Sequence, residues 1–74
     1  MKERIKEVIK RTFNLAEVDN NISTSNCEKW DSLQHLNLVL ELESEFNLSI
    51  EPEDIAEMKS FNDICRVLDK LLNP

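Results

Sequence analysis

The sequence predicts an all-α fold, a small bundle of three longer helices plus one short helix. Apolar residues recur at spacings of three and four in separate segments, the period of a helix with one buried face. Gly is absent and Pro occurs twice, which argues against tight hairpins and for helices joined by polar loops. The chain has 74 residues, the length of one small domain spanning 1–74. Such a domain buries only about 60% of its unfolded surface. With three Phe, one Trp and no Tyr, the core has to come mostly from Leu, Ile and Val.

The first segment, "KERIKEVIKRTF", sets Ile5, Val8, Ile9 and Phe13 on one face and predicts a helix of about three turns. "NLAEVDNNISTSNCEKW" follows, rich in Asn, Asp, Ser and Thr, whose side chains compete for backbone hydrogen bonds. It reads as a long loop pinned by Leu15, Val18, Ile22 and Trp30. Loops of this length are uncommon in compact domains unless they serve a function. This one delivers the chain to Ser32.

A second helix is expected to begin at about Asp31 or Ser32, both good N-cap types. On a helical wheel Leu33, Leu36, Leu38, Val39, Leu40, Leu42 and Phe46 cover a wide arc, opposite Gln34, Asn37, Glu41, Ser44 and Glu45. An arc that wide predicts a central helix packed by several neighbours. "EPEDIAEM" predicts a short helix with Pro52 in its first turn. Ser60 and Asp63, three apart, resemble an acidic capping box opening the last helix. Its apolar face is Ile64, Val67, Leu68, Leu71 and Leu72, and Pro74 is expected beyond its end.

The formal charge of −6 is unevenly spread. Five basic residues (Lys2, Arg4, Lys6, Lys10, Arg11) lie between Met1 and Thr12, where Glu3 and Glu7 mix with them as on a solvated face. Eight acids and no Lys or Arg lie between Asp31 and Met58. That balance disfavours nucleic acid and anionic lipid, and suits partners with basic patches. No apolar run follows the basic start, and nothing approaches a membrane span, so neither a secretory signal nor a membrane partner is expected. Cys27 and Cys65 are expected as free thiols in a reducing cytoplasm.

Metal and catalytic readings fail on their own terms. Asp19, Asn21, Ser23 and Ser25 alternate like the start of a calcium loop, but Thr24 stands where Gly is needed and Trp30 where a bidentate Glu is needed. Cys27, His35 and Cys65 lack zinc spacing and a fourth ligand. His35 lies three residues after Ser32, with no third group to orient it and little room for a substrate pocket. It is expected as a partly buried helix residue or an interface contact, and the chain as no enzyme.

Ser32 has a bland use as a helix cap. The same position favours phosphate, through free backbone N–H groups and the helix dipole. The run "WDSLQHLNLVLELESEF", residues 30–46, resembles the signature of acyl carrier proteins. The order of leading helix, long loop, Asp-Ser-Leu, "ELESEF", short acidic helix and closing helix resembles that family over nearly the whole chain.

The resemblance implies a single acyl carrier domain bearing 4′-phosphopantetheine, taken from coenzyme A, on Ser32, with Asp31 and Leu33 as its motif neighbours. It implies acyl intermediates held as thioesters for fatty-acid, polyketide or related biosynthesis, and a monomer served by a phosphopantetheinyl transferase. Further partners would be acyl-loading, synthase or acyltransferase enzymes with basic docking patches. Glu41, Glu43, Glu45, Glu53, Asp54 and Glu57 would face those patches. Leu33 is expected to touch partners or the core, and the short helix, held by Ile55 and Met58, to act as a mobile gate. Lys29 stands where the family usually has Gly, and Gln34 and Asn37 where fatty-acid carriers tend to have acids. An aminoacyl or D-alanyl carrier, and an acidic helical adaptor without cofactor, are the alternatives.

Overall fold

A computed structural model describes residues 1–73, so the expectation about Pro74 lies outside the described residues. Four helices follow in order: α1 (Lys2–Phe13), α2 (Ser32–Phe46), α3 (Pro52–Glu57) and α4 (Phe61–Leu72). The apolar stripe of α1 lands in the core, with Ile5, Val8, Ile9 and Phe13 all buried. On α4, Phe61, Ile64, Val67 and Leu68 are buried, and Leu71 and Leu72 pack at the margin.

Helix ends follow local chemistry. Asn14 closes α1 at φ 55° and Asn47 closes α2 at φ 53°, both left-handed. Asparagine tolerates that region better than other residues with a Cβ, and this chain has no glycine to place there. The N–H of Leu15 then reaches back to Lys10 O at 2.9 Å, and that of Leu48 to Glu43 O at 3.2 Å, satisfying last-turn carbonyls. At the start of α4, Ser60 Oγ accepts from the Asp63 N–H at 3.0 Å. The Asp63 carboxylate accepts from the Lys59 N–H at 3.2 Å, so the reciprocal bond of the capping box falls one residue before the cap.

The arc expected on α2 resolves into two faces. Leu38, Val39, Leu42 and Phe46 are buried. Leu33, Leu36 and Leu40 are 70%, 56% and 63% exposed, so they are not core. At 100° per residue their stripe is centred roughly 130° from the buried one, too far round to reach the same neighbours. Leu33 therefore has no core-packing role.

The long loop is fastened, not loose. Ile22 and Trp30 are buried, and Leu15, Val18 and Cys27 pack at the edge of the core. An isolated antiparallel bridge pairs Ser23 with Ser60. Phe61 N donates to Ile22 O and Thr24 N to Lys59 O, each at 2.9 Å. The alternating polar residues make turns: Asp19 Oδ1 accepts from the Asn21 N–H at 2.8 Å, and Ser23 and Ser25 hydroxyls pair at 2.8 Å. The loop thus brings its C-terminal end, and the start of α2, to the same side of the bundle as α3.

Candidate functional site

Asp31 is the N-cap of α2, in extended backbone (φ −96°, ψ −176°), and its carboxylate accepts from the Gln34 N–H at 2.8 Å. Its carbonyl accepts the first helical bond, from His35 N–H at 2.8 Å. Ser32 is consequently the first helical residue and not the cap. Between two adjacent cap-type residues, the aspartate has taken the backbone donor, and the serine hydroxyl is left exposed with no side-chain hydrogen bond among the described residues. It stands at the positive end of the α2 dipole, beside first-turn N–H groups that have no helical acceptor.

The residue before the cap is anchored on both sides. The Trp30 ring packs on Phe13 of α1, centroids 5.5 Å apart. Its Nε1–H donates to His35 Nδ1 at 2.9 Å, and His35 Nε2 lies 2.9 Å from the carbonyl oxygen of Ile55 in α3. Because Nδ1 accepts, the ring proton sits on Nε2 and is donated to Ile55. Both imidazole nitrogens are occupied, so His35 has no lone pair for the Ser32 hydroxyl.

An open groove of about 790 Å³ runs from Ser32 between the start of α2 and α3, lined by Trp30, His35, Leu36, Ile55 and Met58 among others. Lys29 bridges elsewhere: its ammonium donates to Asn14 O at 3.1 Å, clamping the loop to the C-terminal end of α1. Gln34 and Asn37 hydrogen-bond to each other at 2.9 Å, leaving the exposed first half of α2 after Ser32 uncharged.

The six expected docking acids are not equivalent. Glu41 pairs with Arg11 at 3.2 Å, while Glu45 pairs with Arg4 at 3.1 Å and Arg11 at 3.4 Å. The basic face of α1 is thereby matched to the acids of α2. Glu43 Oε2 accepts from the Ile50 N–H at 2.8 Å, which secures the turn after α2. Asp54 is buried and bonded to Lys70 of α4 at 2.6 Å. Glu57 is exposed, with Arg66 at 3.9 Å, and Glu53 is exposed with no ion pair among the described residues. The α3 expected as a weakly held gate is tied down by the Asp54–Lys70 pair, the His35–Ile55 bond and the fully buried Met58.

These bonds set the pH response. Hydrogen bonds from Arg4 and then Arg11 hold the Glu45 carboxyl below its usual range. Burial pulls the Asp63 carboxyl up, but bonds from Arg66 and Ser60 outweigh it and leave it lowered. Both stabilise the fold above the unfolded carboxylate value, about 4, and lose that contribution as pH falls through their folded values. Lys70 is raised chiefly by its bond to Asp54, so its contribution is complete below the unfolded lysine value, about 10.4, and lost as pH rises through the folded one. The urea midpoint is expected to fall on both flanks of a neutral plateau. A midpoint constant down to pH ~3 would show that Glu45 and Asp63 contribute nothing.

Such an arrangement defines a class: a small helical domain presenting one exposed, unbonded serine at a helix N-terminus that is suited to phosphate. Comparison with known proteins agrees. The family description "Phosphopantetheine attachment site" matches residues 3–68. An acyl carrier protein of Petrotoga mobilis is 30% identical over 73 residues, covering 96% of this chain and 86% of that protein. A solved candidate acyl carrier protein from Mycobacterium tuberculosis superposes with a TM-score of 0.83 at 26% identity, covering 93% of this chain and 95% of that one. The solution structure of the holo acyl carrier protein of Geobacter metallireducens gives a TM-score of 0.85 at 22% identity over 96% of this chain and 84% of that one, a likeness of fold.

The chain belongs to the acyl carrier protein family. It is a carrier and not a catalyst, and its prosthetic group is a covalently attached 4′-phosphopantetheine. The residues present fit that group, since an exposed hydroxyl without a competing hydrogen bond stands where a phosphodiester is electrostatically favoured. No helix among the described residues is long and apolar enough to cross a membrane.

Proposed function

We propose that Ser32 carries the phosphopantetheine arm, flanked by Asp31 and Leu33, and that the protein presents acyl thioesters to enzymes of fatty-acid, polyketide or related biosynthesis in the cytoplasm. The observation that carries this reading is the division of labour at α2: Asp31 caps, and the Ser32 hydroxyl stays free. In the attachment step Ser32 Oγ forms a bond to the phosphorus that bears the pantetheine in coenzyme A. The pyrophosphate P–O bond breaks, the adenosine bisphosphate leaves, and the serine proton passes to a base of a separate phosphopantetheinyl transferase. That enzyme supplies the base and metal, and the chain supplies the nucleophile and the helix end that tolerates the product charge. The arm supplies a terminal thiol for the thioester. Cys27 and Cys65 are half-buried, and burial pushes the Cys65 thiol up, which makes Cys65 a poor nucleophile at neutral pH.

Incubation with coenzyme A and a broad-specificity transferase, followed by intact-mass measurement, tests the reading. One phosphopantetheine of added mass is expected, and an unchanged mass refutes it.

Docking in this reading combines the exposed Leu33, Leu36 and Leu40 stripe with acids facing basic patches on partners. Glu53, with no ion pair among the described residues, is the acid best placed to act, followed by Glu57, which is exposed and only 3.9 Å from Arg66; Glu41 and Glu45 meet arginines more closely and Asp54 is buried. Transferase kcat/KM is expected to fall several-fold as salt rises from about 0.05 M to about 0.5 M. The dependence should weaken more in Glu53→Gln/Glu57→Gln than in Glu41→Gln. A flat profile in the unaltered protein removes acids from the docking face.

A further inference from the structure

The approach to Ser32 is held by a hydrogen-bond relay that attachment chemistry does not itself require. Trp30 is 3% exposed, so its Nε1–H depends on His35 Nδ1, 2.9 Å away, for an acceptor. The same ring reaches the Ile55 carbonyl at 2.9 Å. One imidazole thus joins three elements: the loop residue two before Ser32, the first turn of α2, and α3 across the groove. Trp30 is also fixed through its backbone, whose N–H donates to Cys27 O at 3.0 Å, and through its ring against Phe13. An apolar side chain at position 35 would fill comparable space and orphan the indole N–H. The indole would then have to turn towards water, and Asp31 and Ser32 follow it directly in the chain.

We infer that His35 is a positioning residue for arm attachment. It acts through the Trp30 indole to fix the Trp30–Asp31–Ser32 turn, and through Ile55 to fix the far wall of the groove that Ser32 opens onto. It is not a base for Ser32, because both of its nitrogens are committed. The inference rests on the carrier reading of Ser32 and adds to it a requirement for one donor and one acceptor at position 35.

The test compares initial rates of mass gain for wild type, His35→Leu, His35→Gln and Trp30→Phe, using coenzyme A and a broad-specificity transferase. Helicity and unfolding midpoint are measured on the same samples, so that rates are compared between folded chains. Both His35→Leu and Trp30→Phe are expected to lower kcat/KM about tenfold, as a displaced nucleophile should. Adding Trp30→Phe to His35→Leu should cost little more than His35→Leu alone, since the leucine has already removed the indole bond along with the one to Ile55. His35→Gln, whose amide can accept from the indole and donate to Ile55, should recover to within about threefold of wild type. The indole N–H proton resonance should move in His35→Leu and return towards its native position in His35→Gln.

Wild-type rates in folded His35→Leu and Trp30→Phe overturn the inference, as does a glutamine variant as slow as the leucine one. Should His35→Leu fail to fold, Trp30→Phe and His35→Gln decide by the same criteria. If wild type itself gains no mass, the carrier reading falls and the inference with it, an outcome distinct from a fast His35→Leu.

Discussion

Ser32→Ala is expected to abolish the gain of one phosphopantetheine while moving the unfolding free energy by no more than about 0.5 kcal/mol. The two halves of this prediction come from one geometric fact. Asp31 supplies the cap bond to the Gln34 N–H, and the Ser32 hydroxyl bonds nothing within the described residues. Removing it deletes the nucleophile without orphaning a backbone donor. Asp31→Ala should behave in the opposite sense, costing about 1 kcal/mol through the lost cap while retaining a modifiable serine. Intact mass and urea unfolding on the same samples separate the two effects. Mass gain persisting in Ser32→Ala would place the attachment elsewhere, and a loss of stability above about 1 kcal/mol would show that the hydroxyl does structural work after all.

The largest effect on the fold is expected at Phe61. Its side chain is fully buried at the first residue of α4, its backbone N–H holds Ile22 O, and the Lys6 ammonium lies 5.5 Å from the ring centroid. Phe61→Ala should cost about 3–5 kcal/mol, because the ring leaves a cavity that one neighbouring helix and a fastened loop cannot both close. A domain of this size has roughly 4–11 kcal/mol in total, so the variant would lose much of its stability and melt roughly 15 °C lower or more. Leu36→Ala, on the exposed stripe, should change the midpoint by less than about 0.5 kcal/mol. A Phe61→Ala cost below about 1.5 kcal/mol would mean that the bridge between the loop and α4 is not part of the cooperative core.

The helices were legible where a single apolar stripe decided them. Ile5, Val8, Ile9 and Phe13 on α1, and Ile64, Val67 and Leu68 on α4, each meet one core and nothing else. On α2 the same reading fails for Leu33, Leu36 and Leu40, because a wheel shows two apolar faces as one wide arc when they adjoin. The choice of Asp31 over Ser32 as cap was equally hidden, since both residue types cap well and only the backbone angle tells which one stands outside the helix. The pairing of Arg4 and Arg11 with Glu45 and Glu41 had a visible trace. Basic residues seven apart on one helix can match acids four apart on another, but the helix crossing has to be known first. The Trp30–His35–Ile55 relay left no such trace, for it joins residues five and twenty apart through side-chain directions that no periodicity encodes.

With Arg4 and Arg11 folded onto Glu45 and Glu41, the α1–α2 flank is close to zwitterionic, while Glu51 and Glu53, which meet no cation among the described residues, leave the α3 flank the more anionic even with Glu57 near Arg66 and Asp54 on Lys70. A molecule charged on one side has an electric dipole, and an approaching basic partner exerts a torque on it before any atoms touch. For a partner with a basic patch, as proposed above, that torque would turn the α3 flank, and the mouth of the groove beside Ser32, towards it. Salt should therefore slow association and leave dissociation nearly unchanged, so the residence time of a complex would report its apolar contacts alone.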